Sequence, residues 1–378
     1  MKKIDNPFLT NGYCGKEYFC DREKELKILS KMLKNDSNYL LISRRKLGKT
    51  ALIERFFEEI RANEEAICIF VDLFATQNLH DFILQFASSV YAVVKPHKPL
   101  LKQFIAFLQS LRIAISYDSL SGLPEFRLQF APQQPMENTL QNLMAFLENQ
   151  NQKIIVAFDE FQQIAEYPEK NMEALLRTNI QKMHHVQFIF SGSDQRIITE
   201  LFFSQKRPFY NSTENIILGK IEIEKYSQFI EYHFFKYNKG VDKEALQFIF
   251  DWTQTHTYYV QQVCKNCFDL PKKNINKEDV QAVCKEILSQ NESIYQQFRK
   301  LLTANQWKLL IAIAKEEILQ QPTSSDFLQR YNLGNASSVK LAIHSLLDKR
   351  LVINAIAHDE GVYLIDDLFF MRYLQYRY

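Results

Sequence analysis

Four apolar residues, Tyr39-Leu40-Leu41-Ile42, run directly into Ser43-Arg44-Arg45-Lys46-Leu47-Gly48-Lys49-Thr50, and then into the helical pattern Ala51-Leu52-Ile53-Glu54-Arg55-Phe56. A buried strand, a tight loop and a helix opening on Lys-Thr leave the first helical N–H groups unpaired and aimed at one point, beside a lysine. Such a point suits phosphate. In the pattern GxxxxGK[ST] the loop N–H groups converge on the phosphates, Lys49 supplies a charge for the β/γ oxygens, and the Thr50 hydroxyl ligates Mg²⁺. The expected cradle is Ser43, Arg44, Arg45, Lys46, Leu47, Gly48, Lys49, Thr50 and Ala51. Serine stands where the pattern has its first glycine, so the loop closes with a less permissive residue.

The complement of such a loop is a hydrophobic strand ending in a carboxylate. Lys153-Ile154-Ile155-Val156-Ala157-Phe158-Asp159-Glu160 provides it, about a hundred residues downstream as a doubly wound sheet allows. Asp159 is expected to hold the Mg²⁺ shell and Glu160 to act as general base on the attacking water. A third strand, Val186-Gln187-Phe188-Ile189-Phe190, ends in Ser191-Gly192-Ser193 and brings the Ser193 hydroxyl to where a γ-phosphate is sensed. Ser-Gly-Ser is equally a turn signal.

In order along the chain, these residues resemble the archaeal-type ATPase family of P-loop proteins, related to the STAND and AAA+ classes and found also in Bacteroides-like bacteria. The carriers are Tyr18-Phe19-Cys20-Asp21-Arg22-Glu23-Lys24-Glu25-Leu26, the phosphate loop, Phe158-Asp159-Glu160-Phe161-Gln162, Phe190-Ser191-Gly192-Ser193, Arg207-Pro208-Phe209-Tyr210 and Thr257-Tyr258-Tyr259-Val260-Gln261. The likeness continues through Leu302 to Leu374. It implies ATP and Mg²⁺ as ligands and places Arg22 at the nucleotide. Two departures stand out. Asn211-Ser212 replaces the Gly-Arg of many relatives, so no arginine there can touch a γ-phosphate, and Thr255-His256-Thr257 replaces a Gly-x-Pro turn. Arg207 reads as a surface ion pair before it reads as a phosphate ligand.

With 378 residues the chain exceeds one ordinary core. The expected division is a P-loop ATPase domain over 1–220, a helical lid over 221–298 and a winged-helix domain over 299–378. The ATPase segment includes a helix from Asp21 to Lys34, a long helical stretch from His80 to Leu108, and a β-hairpin insertion near 111–135 with its turn at Ser121 to Pro124. The hairpin is expected to pack against the ATPase core. No apolar run approaches a bilayer span and the N-terminus turns polar early, so a cytoplasmic protein is expected. The six cysteines are scattered, and the CxxC of Cys264 and Cys267 lies in a helical pattern, which favours reduced structural thiols. The net charge of +2 is uninformative, because a nucleic-acid binder concentrates basic residues on one face and their distribution must decide.

The last segment follows its own pattern. Helices from Thr303 to Lys315, Ser324 to Tyr331 and Ser337 to Lys349, with a turn at Asn332-Leu333-Gly334, lead to strands Leu351 to Ile356 and Val362 to Ile365. This is a winged helix. Its third helix directs Val339, Ile343, Leu346 and Leu347 inward and Ser338, Lys340, Leu341, His344 and Ser345 outward, while His358-Asp359-Glu360-Gly361 forms an acidic wing tip. One firm cation and an acidic wing favour a protein partner or self-association over DNA.

The fold class expected is α/β, a P-loop doubly wound parallel sheet followed by a helical lid and a C-terminal winged helix. The function expected is an ATP-binding, Mg²⁺-dependent regulatory switch. The alternatives are a DNA-binding regulator akin to origin-recognition ATPases and a slow nucleotide-holding scaffold. ATP is preferred to GTP because Asn238-Lys239-Gly240-Val241-Asp242 is one residue too long for a guanine-reading Asn-Lys-x-Asp and lies among helices.

Overall fold

A computed structural model describes residues 4–111, 113–117, 124–128, 135–357 and 360–378. The chain forms two compact units. One is Asn11–Lys220; the other combines the described residues up to Thr10 with Ile221–Tyr378.

The first unit is built on strands β1 (Tyr39–Ile42), β2 (Ile67–Asp72), β5 (Ile154–Asp159), β6 (Val186–Gly192) and β7 (Glu214–Ile217), with β3 (Ile113–Tyr117) and β4 (Pro124–Leu128) in the insertion. Five strands form one parallel sheet in the order β2-β5-β6-β1-β7. β1, β5 and β6 are buried along their whole length, which is why they read as continuous apolar runs and not as alternating ones. Successive residues still serve opposite faces. Ile154, Val156 and Phe158 of β5 join an aromatic layer with Phe82, Phe86, Phe188 and Phe190. Ile155 and Ala157 join Leu41, Leu52, Ile53, Phe56 and Phe57 on the other face.

The stretch from His80 to Leu108 is two helices, Leu79–Val94 and Lys98–Ser110. Pro96 lies in the turn between them, where the absence of its N–H and its ring end the first helix. Likewise the segment from Asp21 to Lys34 is split into Glu23–Leu29 and Met32–Asn35. β3 and β4 pair antiparallel with Ile113 opposite Leu128. Ile113 and Phe126 are buried in the aromatic layer, Phe126 against Tyr91 with 5.5 Å between ring centroids. The hairpin thus packs on the core of the first unit; residues 121–123 of its expected turn lie outside the described residues.

The second unit contains helices Ile223–Lys236, Lys243–Thr253, Thr257–Asp269 and Lys277–Lys300, followed by Ala304–Glu316, Ser325–Arg330 and Ala336–Asp348. Thr303, Ser324 and Asn335 cap the last three with side-chain oxygens, the reason their starts are legible as Ser, Thr or Asn. The strands Val352–Ala357 and Glu360–Ile365 pair antiparallel as the wing; His358 and Asp359 of the expected tip lie outside the described residues. A closing helix, Leu368–Arg377, was not expected. It packs Phe369 on Trp252 and Tyr259, and Phe370 on Tyr295, so the helical segment and the winged helix share one core. The N-terminal residues belong here too. Phe8, 1% exposed, meets Phe229, His233, Phe234 and Phe268. Asn6 Nδ2 donates to Lys265 O at 3.0 Å and to Asp269 Oδ1 at 2.8 Å. No helix among the described residues is long and apolar enough to cross a membrane.

Candidate nucleotide site

The loop after β1 turns through two residues of positive φ, Lys46 at 62° and Gly48 at 95°. Gly48 is the N-cap of the helix Lys49–Ala62 and offers no side chain to its first N–H groups, which stay free to meet an anion. Leu47 is buried in the core and anchors the loop, so only its backbone faces the cradle, whereas Arg45 and Lys46 are exposed. Ser43 closes the first turn by donating to Arg44 O at 2.8 Å. Its oxygen accepts from Lys49 Nζ at 3.2 Å. Serine therefore contributes at its position: it holds the ammonium in place. Burial pushes the Lys49 ammonium below its ordinary value, opposed by the charges of Asp159 and Glu160, with Arg45 acting alongside the burial.

The ends of β5 and β6 meet beside the loop. Thr50 Oγ1 donates to Asp159 Oδ2 at 2.6 Å. Asp159 Oδ1 accepts from Ser191 Oγ at 2.5 Å and from the Glu160 N–H at 3.1 Å. Glu160 leaves β5 in the left-handed region with φ 53°, and its Oε2 accepts from Ser193 Oγ at 2.7 Å and from Gln162 Nε2. Lys49, Thr50, Asp159, Glu160 and Ser193 are thus brought together at the C-terminal edge of the sheet, where open α/β sheets bind ligands.

Thr50 and Asp159 present two hard oxygens within one hydrogen bond of each other, on an exposed and a buried residue respectively. That set fits Mg²⁺, which takes few protein oxygens and completes its shell with water and phosphate.

Arg22 has partners of its own. At 4% exposure and φ 76°, it donates through Nη2 to Gly219 O at 2.7 Å and pairs through Nη1 with Glu25 at 3.2 Å. Arg207 pairs with Glu173 at 2.8 Å and with Glu200, the ion-pair reading of its position. Sequence reasoning passed over two residues at this edge. Asp72 stands beside Asp159 in the β2–β5 register. Burial pushes its carboxyl up, with Asp159 and Glu160 acting in the same direction against the N–H of Phe74. The signal was a strand ending in a carboxylate, the same signal that picked out Asp159. Gln162 entered only as the last residue of the Phe158-Asp159-Glu160-Phe161-Gln162 motif, with no role assigned to it.

A twisted parallel sheet with this loop, this carboxylate strand end and a winged helix downstream defines a P-loop ATPase fold. Residues 19–263 match the family described as an ATPase domain predominantly from Archaea, and the chain belongs to that family. Residues 293–376 match a family described as "Probable winged helix domain". Among solved structures, the Walker-type ATPase of Pyrococcus abyssi aligns with 16% identity over 98% of this chain and 99% of its own, with a TM-score of 0.65. The Aeropyrum pernix ORC2 protein, in its ADPNP–ADP complexes, aligns with 14% identity over 98% and 96%, TM-score 0.59. The Aeropyrum pernix ORC1 protein, in complex with DNA, aligns with 14% identity over 96% and 94%, TM-score 0.51. At these identities the likeness is one of fold. No curated protein matches the chain.

Proposed function

We infer that this chain binds ATP with Mg²⁺ and hydrolyses it as a nucleotide-controlled switch. The observation that carries the reading is the Thr50–Asp159 contact of 2.6 Å, which joins the phosphate loop to the carboxylate strand. In this reading the N–H groups of Ser43 to Ala51 and the Lys49 ammonium bind the phosphates, Thr50 and Asp159 hold Mg²⁺, and Ser193 lies within reach of the terminal phosphate. The metal, when bound, neutralises charge developing on the phosphate oxygens. Glu160 holds the attacking water and takes its proton.

The winged helix is the output surface of the switch. On its third helix Lys340, Leu341 and His344 are exposed, Leu341 at 75%, and His344 lies 3.7 Å from Asp348. A nearly neutral face with an exposed leucine supports a protein partner or a second copy of the chain. The second reading is a DNA-binding regulator, favoured by the fold shared with the Aeropyrum pernix ORC1 protein that was solved with DNA. ATP titration and turnover of the native chain and of Lys49→Ala, each with and without duplex DNA, test both. Binding and turnover that depend on Lys49 and ignore DNA are expected; affinity unchanged in Lys49→Ala would sink the phosphate-loop assignment.

A further inference from the structure

The surroundings of Glu160 contain more than a metal ligand and a base require. Among the described residues, Ser193 Oγ and Gln162 Nε2 both donate to one oxygen of its carboxylate, Oε2. The second oxygen, Oε1, is left to other partners. Gln162 is 9% exposed. The backbone of Gly192 lies directly against it: a Cβ there would sit 2.5 Å from Gln162 Oε1 and 2.5 Å from Ile198 Cδ1. In that crowded position the amide oxygen of Gln162 is buried, and no hydrogen-bond partner lies against it among the described residues.

Turning the amide over would not relieve this, because its oxygen would then face the oxygen of Glu160. The N–H therefore points to the carboxylate, and the unpaired carbonyl is left over, at a desolvation cost of about 1–3 kcal/mol. A glutamine serving only as core filling has no reason to carry that cost. One that fixes a neighbouring carboxylate does.

We propose that Gln162 is a positioning residue for ATP hydrolysis. Acting with Ser193, it pins Glu160 through Oε2 and directs Oε1 to the water. This rests on the hydrolysis reading above. As the water oxygen bonds to the γ-phosphorus and the bond from that phosphorus to the β–γ bridging oxygen breaks, the water proton passes to Glu160 Oε1, giving ADP and phosphate. Gly192 belongs to the device because any side chain there would displace the amide.

The test compares the full chain with Gln162→Leu, Gly192→Ala, Gln162→Glu, Glu160→Gln and Glu160→Ala. Gln162→Leu and Gly192→Ala should lower kcat by roughly 10-fold or more while ATP affinity stays within about twofold, the split expected of an orienting contact. Gln162→Glu should invert the pH dependence. Its introduced carboxyl repels Glu160 at neutral pH and donates once protonated, so turnover should rise as pH falls towards about 5.5. A merely structural glutamine would change melting temperature without that inversion. If Gln162→Leu fails to fold, the pH profile of Gln162→Glu decides. In the nucleotide-free protein the Gln162 side-chain amide resonance, identified by its loss in Gln162→Leu, should move in Glu160→Ala; an unmoved resonance overturns the contact. Native turnover in Gln162→Leu beside lost turnover in Glu160→Gln overturns the role alone. Absence of turnover in native chain with ATP bound overturns the hydrolysis reading and this role with it.

Discussion

Thr50 and Asp159, 109 positions apart, share a hydrogen bond of 2.6 Å between the first helical turn and the end of β5. Asp159 also accepts from Ser191, which is fully buried. Asp159→Ala should therefore abolish the Mg²⁺ dependence of ATP binding, measured by titration with and without EDTA. It should also destabilise the fold by about 1–3 kcal/mol, because the Ser191 hydroxyl is left unsatisfied. Binding that still required Mg²⁺ would remove Asp159 from the metal site.

Lys49 is 6% exposed, and its ammonium is pushed down by burial. A charge held in that way favours an anion and costs stability without one. Lys49→Ala should weaken ATP binding by at least ~10-fold, about 1.4 kcal/mol. Lys49→Met, which keeps the volume, should leave the nucleotide-free melting temperature unchanged or raise it by a few degrees, on the order of 1–3 °C. A clear fall in melting temperature would mean that the ammonium is a structural element.

Much of this site was legible because its parts are contiguous in the chain. The strand, loop and helix around Gly48 are consecutive residues, and Asp159-Glu160 ends an apolar run, so local pattern identified both. Contacts made by distant segments were not legible. Gln162 closes a motif of the chain without showing a role there, and only the fold sets it against Gly192. Asp72 became notable when β2 paired with β5. The attachment of Phe8 to residues beyond 229 has no local signature, and the closing helix is so rich in aromatics that it lacks a clear polar face. Pro96 was a readable signal that the aromatic run around it obscured.

The thiols give a chemical check. Cys14 is exposed, whereas Cys20, Cys68, Cys264, Cys267 and Cys284 are buried. Burial pushes Cys68 and Cys267 up to about 12 and moves Cys264 and Cys284 upward as well. Because the thiolate is the reactive form, alkylation of the native chain at pH 8 should be fast at Cys14 alone. The buried thiols should react only on unfolding, or faster as pH climbs towards their raised values. Peptide mapping after timed iodoacetamide quenching would read this out, and early labelling of Cys267 would contradict the packing.

The winged helix should bind duplex DNA weakly. With Lys340 exposed beside Leu341 and His344, few phosphates can be neutralised. The full chain should show affinity in the non-specific range, roughly 10⁻⁴ to 10⁻⁶ M at physiological salt, and Lys340→Ala should change it by less than about twofold. Submicromolar, sequence-selective binding lost in Lys340→Ala would promote the DNA-regulator reading.

Phe8→Ala should cost about 3–5 kcal/mol in the second unit, the usual range for a buried phenylalanine, and denaturant unfolding followed by tryptophan fluorescence would measure it. The position of that ring also bears on synthesis. Phe8 is synthesised before Asn11–Lys220, yet its partners extend to Phe268. At roughly 5–20 residues per second, the exposed ring waits on the order of ten seconds to a minute while the whole of Asn11–Lys220 emerges and can fold behind it. During that interval the nascent chain displays a ring whose docking partners have not yet been made, which makes the segment around Phe8 a natural target for a chaperone that meets the chain during translation.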